Sequence, residues 1–182
     1  MSGTMKQGGA LLIIILLALV SGSLYNRGPM ELGLVGNENF YWDTALGLQS
    51  ADSPAPNLSG VESVIYPHFL SLIAGDEAGA IKKARVLQSR LLLSLLGALV
   101  FFLLRTKLSP APALAGSLAA VFSAPAVVSA GNLDPSAITA VLAMVGLLLI
   151  SLRNTLPFWI LGGIFLGLSA LSFPAWGWAA LV

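Results

Sequence analysis

From Leu91 to Phe173 the chain carries charge at only four positions, Arg105, Lys107, Asp134 and Arg153, and each lies between apolar runs. Such runs have no polar face to turn to water. About 20 apolar residues cross the hydrocarbon of a bilayer. Backbone at that depth must satisfy its own hydrogen bonds, which helices do. The pattern predicts an all-α integral membrane protein, a polytopic helix bundle. Composition agrees: 57% of the residues are hydrophobic and 9% charged, against about 25% charged in a soluble domain.

The spans are expected at 9–25, 84–104, 111–130, 136–152 and 157–173, with 174–182 opening a sixth. The first could also be a signal peptide, because Lys6 precedes an apolar heart. Between it and the second span lies an outer loop, 26–83. It is acidic in its first part, with Glu31, Glu38, Asp43, Asp52 and Glu62 against one cation, Arg27. Residues 52–60 read as loop from their Pro, Ser and Asn content. Residues 63–75 are apolar but too short to cross, which suits an interfacial helix. The chain ends in an apolar run, SFPAWGWAALV, so it reads as the N-terminal part of a longer protein.

Cations set the topology. With Lys6 in the cytoplasm, the turns holding Arg105, Lys107 and Arg153 also fall inside, as the positive-inside rule requires. The acidic loop and the Asp134 turn then share the outer face of a plasma or bacterial inner membrane. Lys82, Lys83 and Arg85 fall on that outer side too. Either the long loop carries them across regardless of charge, or they form an anion site, for instance for a lipid phosphate.

Some function classes drop out. The net charge of +1 offers nothing to nucleic acid. Without cysteine there is no disulfide or zinc-thiolate site, and one histidine, His68, excludes a multi-histidine metal centre. A transporter needs ionisable residues along a path through the spans, and these spans are almost bare of them.

The outer loop holds the densest chemistry, in GNENFYWDTALGL, Gly36 to Leu48. Asn37 is a good N-cap. On the helix that follows, Tyr41, Ala45 and Leu48 share one stripe, widened by Trp42 and Leu46, while Asp43 and Gly47 face elsewhere. Glu38 and Asp43 are therefore not a converging carboxylate pair. Glu38 is either a proton acceptor or a charge compensating the helix N-terminus. Asp43 is either a second candidate base or a solvated residue. Asp134 is either a second acid or the cap of the fourth span, with Pro135 at its first position. His68 is a packed or interfacial side chain or a proton shuttle.

The order of features resembles the N-terminal half of the GT-C membrane glycosyltransferases, the class of protein O-mannosyltransferases and aminoarabinose transferases (glycosyltransferase family 39-like). The resemblance rests on Asn37-Glu38-Asn39-Phe40-Tyr41-Trp42-Asp43-Thr44-Ala45 soon after the first helix. It continues in Tyr66-Pro67-His68-Phe69-Leu70, in Ala84-Arg85-Val86-Leu87, in Ser123-Ala124-Pro125 through Asp134-Pro135, and in the glycine-rich run from Leu161 with Pro174 after it.

The resemblance implies transfer of a sugar from a polyprenyl-phosphate donor to an acceptor glycan, lipid or protein at the outer face, with a divalent metal as an optional cofactor. A carboxylate would take the acceptor's proton. Cations would meet the charge growing on the lipid phosphate. Glu38 and Asp43 are the implied catalytic candidates; Tyr41, Tyr66, His68, Lys82, Lys83, Arg85 and Asp134 are the implied binding residues. The family's first acid is Asn37 here, which cannot act as a base, so the role falls to Glu38 or Asp43. The same departure favours the other reading, a non-catalytic scaffold of this fold.

Overall fold

The computed structural model describes residues 2–25, 34, 36–50, 63, 65–75 and 77–172, with backbone alone at 2–7 and 23–25. The expected loop 52–60 and the start of a sixth span lie outside the described residues. Within them the chain is all-helical: α1 (Ser2–Tyr25), α2 (Asn37–Gln49), α3 (Ile65–Ser71), α4 (Ala80–Arg105), α5 (Pro110–Val121), α6 (Ala124–Gly131), α7 (Ser136–Leu152) and α8 (Leu156–Ser172), with no strand among the described residues.

Local chemistry sets the helix boundaries. Gly79 sits at φ 82°, a left-handed value that favours glycine, and α4 starts directly after it. The expected start at 84 falls one turn late for that reason. Gly36, at φ 59°, holds the cap position of α2, so Asn37 is the first helical residue rather than the cap. Ser109 and Pro110 open α5, where a missing amide costs nothing.

The expected third span, 111–130, is instead two helices. α5 and α6 meet at an angle of 51° across Phe122–Ser123. Ser123 is extended, its Oγ accepts from the Ala126 amide at 3.4 Å, and Pro125 lies in the first turn of α6. A new helix cap inside the apolar run breaks it.

α4 is the central element. It runs antiparallel to α1, since Gly22 meets Ser89 while Ile14 meets Gly97. Val121 of α5 reaches the same Gly97, and Ser117 Oγ donates to the Gly97 carbonyl at 2.6 Å. α7 and α8 form a hairpin whose backbones touch at Gly146 and Gly162, and Ser169 Oγ ties α8 to the Thr139 carbonyl at 3.0 Å. Ile14, Ala18, Leu92, Leu93, Phe101, Val121 and Val141 are buried between these helices. Outside, large apolar side chains stay exposed, among them Leu12 and Leu16 on α1 and Trp159, Ile160 and Ile164 on α8.

By length and composition, α4 is long and apolar enough to cross a membrane, and α5–α6 makes a second such element if the bent pair is one span. The apolar parts of α1, α7 and α8 are shorter among the described residues.

The helix order brings the start of α4 and the α6–α7 turn to one end of the bundle, where α2 also packs. α3 lies against α2: Gln49 Nε2 donates to the Ser71 and Ala74 carbonyls at 2.6 and 3.0 Å.

Candidate functional site

Polar side chains are scarce in this chain, and the structure gathers several at that end. Helix α2 turns Glu38, Tyr41, Trp42, Thr44 and Ala45 inward. Helix α4 turns Arg85, Gln88 and Ser89 inward; they share one face by the i, i+3, i+4 rule. Tyr66 comes from α3 and Asp134 from the turn before α7.

Glu38 is the hub. Its Oε2 accepts from an Arg85 terminal nitrogen at 2.6 Å, and its Oε1 accepts from the Leu133 amide at 2.7 Å. One carboxylate thus joins the loop helix, the central helix and the α6–α7 turn. The two charged side chains keep only 6% and 10% of their surface. Burying a lone charge is costly, and mutual pairing with extra hydrogen bonds offsets that cost. Neither charge is therefore buried here without the other.

A second chain of bonds runs alongside. Tyr66 Oη donates to Gln88 Oε1 at 2.7 Å. Gln88 Nε2 donates to the carbonyls of Ala130 and Asn132 at 3.2 and 2.6 Å. Tyr41 packs edge-on against Tyr66 with ring centroids 5.1 Å apart. Burial, with the charge of Asp134 behind it, pushes the Tyr66 phenol well above its ordinary range. It stays a neutral donor.

Asp134 completes the cluster. Its Oδ1 accepts from the Ser136 amide at 2.8 Å; Pro135, expected as the first helical residue with Asp134 as the cap, instead holds the cap position of α7. Burial pushes its carboxyl above the usual range; the bond from Ser136 opposes this, and the negative charge of Glu38 adds to it. A carboxylate raised in this way is closer to a working base at neutral pH.

Of the residues singled out from sequence, Glu38, Tyr41, Tyr66, Arg85 and Asp134 come together here. Asp43 does not: it lies exposed on the outward face of α2. His68 is exposed on α3. Lys82 and Lys83 are exposed on α4, and Lys83 bonds Glu77 at 2.7 Å, which holds the Glu77 carboxyl below its usual range. The expected basic cluster is therefore divided. Arg85 points into the bundle, and the two lysines point out.

Gln88 was not singled out. The signal was present, because Gln88 and Ser89 interrupt an otherwise apolar helix at the spacing that continues the Arg85 face. No group of three or more metal-ligating side chains occurs among the described residues. Glu38 and Asp134 are the two carboxylates available here to a cation, and both Glu38 oxygens already accept hydrogen bonds.

Beneath the site, a cavity of about 260 Å³ lies between α4, α6 and α7. Leu92, Leu96, Pro125 and Ala137 line it, and Ser136 connects it to the Asp134 turn.

Compared with protein-family models, with curated proteins and with solved structures, the chain finds no match.

Proposed function

We propose that the chain is the core of a polytopic membrane glycosyltransferase of GT-C type, which moves a sugar from a polyprenyl-phosphate donor to an acceptor at the outer membrane face. The observation that carries the reading is the buried Glu38–Arg85 pair. It pins a loop helix to the polar face of the central helix, with Asp134 within electrostatic reach of Glu38. Exposed apolar side chains along α1, α4 and α8 support the membrane setting, because a water-soluble surface rarely shows so continuous an apolar coat.

In this reading Asp134 takes the proton. The acceptor's hydroxyl gives its hydrogen to the Asp134 carboxylate, and its oxygen bonds to the sugar's anomeric carbon. The bond from that carbon to the donor phosphate breaks, and the polyprenyl phosphate leaves with the electron pair. Arg85 supplies positive charge near the leaving group. Glu38 is the positioning residue: it orients Arg85 and braces the turn that carries Asp134. Asp43, one of the two candidate bases in the sequence, has no part in this assignment.

Two features favour a non-catalytic scaffold of the same shape. Asn37 stands where the resembling family has an acid, and both Glu38 oxygens are already engaged. One assay separates the readings. The chain in liposomes, given a radiolabelled polyprenyl-phosphate sugar and a mixed acceptor lipid extract, should transfer label. Asp134→Asn should stop transfer while Asp43→Asn leaves it intact. A folded protein that binds no donor would establish the scaffold instead.

A further inference from the structure

The exposed side of α4 carries chemistry that the site does not use. Lys82, Lys83, Leu87, Arg90, Leu91 and Leu95 all face outward, opposite the buried Arg85–Gln88–Ser89 face. The charged part is a shallow open pocket of about 390 Å³ lined by Gly79, Lys82, Lys83, Val86, Leu87 and Arg90. Below it Leu87, Leu91 and Leu95 follow at intervals of four, each more than two-fifths exposed. Two lysines thus sit at the head of an apolar strip, with Arg90 between its first two leucines in sequence.

Length places this head at the membrane surface. The 26 residues of α4 span about 39 Å at ~1.5 Å per residue. The hydrocarbon takes about 30 Å of that. The first turns of α4 therefore stand at headgroup level, and Arg90, about two turns further along, lines the same pocket. Lys83 is held by Glu77, but that pair is solvent-exposed on both sides and so weakly held. A phosphate replaces it without leaving a buried charge behind.

We infer that the outward face of α4, Lys82, Lys83 and Arg90 together with Leu87, Leu91 and Leu95, binds an anionic phospholipid, its headgroup phosphate among the cations and an acyl chain along the leucines. The inference rests on α4 as a membrane span and not on sugar transfer. The bound lipid would brace the outer end of α4 from outside while Glu38 braces it from within.

The test is lipid retention by the full chain in nanodiscs of phosphatidylcholine mixed with phosphatidylglycerol, read by native mass spectrometry. The wild type should keep phosphatidylglycerol in preference. Each of Lys82→Gln and Arg90→Gln should lower that preference about fivefold, the worth of one cation at an anionic surface. Lys107→Gln, at the far end of the region, should not change it. Added inorganic phosphate should displace little, because it lacks the chains. The inference is overturned if the Lys82→Gln/Lys83→Gln/Arg90→Gln variant, folded by circular dichroism, keeps the same preference. It is overturned equally if inorganic phosphate alone abolishes it. A chain that enters nanodiscs without lipid preference removes this site and leaves the proposed membrane fold standing. A chain that does not enter them removes both.

Discussion

Arg85 and Glu38 are 47 positions apart in sequence and 2.6 Å apart in space. Most other long-range bonds at this end are neutral, so this contact carries the electrostatic weight. Removing one partner leaves the other's buried charge without its opposite charge, a loss of the kind that costs about 3–5 kcal/mol. Arg85→Met and Glu38→Gln should each lower the melting temperature strongly in detergent. The Arg85→Met/Glu38→Gln double variant should recover part of the loss, because no lone charge remains. A double-mutant cycle measures the coupling, and additive losses would rule the pair out as a mutual brace.

Asp134 should show itself through pH. Its folded carboxyl is raised above the ordinary 3.8 by burial. The folded state therefore holds the proton more tightly than the unfolded state. The corresponding stability is fully present below the unfolded value and is lost as pH rises through the folded one. Asp134→Asn keeps an oxygen for the Ser136 amide but does not ionise. Its melting temperature should be flat across that window and at least equal to the wild type's above it. Under the proposed reading, transfer should nonetheless be lost. Parallel melting curves against pH for both proteins would refute the assignment.

Tyr66→Phe isolates the second chain of bonds. Phenylalanine keeps the edge-on packing with Tyr41 but leaves Gln88 Oε1 without its 2.7 Å donor. An unmet buried acceptor costs about 1–3 kcal/mol. The loss should disappear in a Gln88→Leu background, where the acceptor is gone, and thermal unfolding of the three variants decides it.

Apolar runs bounded by charged turns made the helices legible. The expected 136–152 and 157–173 correspond to α7 and α8 within a residue. Hydropathy said nothing about the break at Phe122–Ser123, because serine and proline inside an apolar run barely change its average. The cap chemistry of Ser123-Ala124-Pro125 held that information. At the site, Glu38 stood out as a charge in an acidic–aromatic helix, but its partner did not. Arg85 follows Lys82 and Lys83 closely, and proximity in sequence grouped it with them. Only the placement of α2 against α4 separates the inward guanidinium from the outward amines. That placement depends on contacts dozens of residues apart, for which local pattern holds no signal.

The α7–α8 hairpin gives the most direct test of packing. Close backbone approach between two helices needs small residues at the contact. A Cβ on Gly146 would stand 2.9 Å from the Gly162 carbonyl and 2.8 Å from Leu166 Cγ; one on Gly162 would stand 2.9 Å from the Gly146 carbonyl. A backbone carbonyl cannot swing aside as a side-chain tip can, so either substitution must push the helices apart. Gly146→Ala and Gly162→Ala should each cost about 1–3 kcal/mol, the usual range for overpacking. A Cβ on Gly163, the next residue on α8, would meet nothing of another helix within 4 Å. Gly163→Ala should be neutral or slightly stabilising, since alanine favours helix over glycine by about 1 kcal/mol. Melting of the three variants in one detergent makes the comparison. Equal behaviour at Gly162 and Gly163 would mean that the two helices do not meet where these glycines place them.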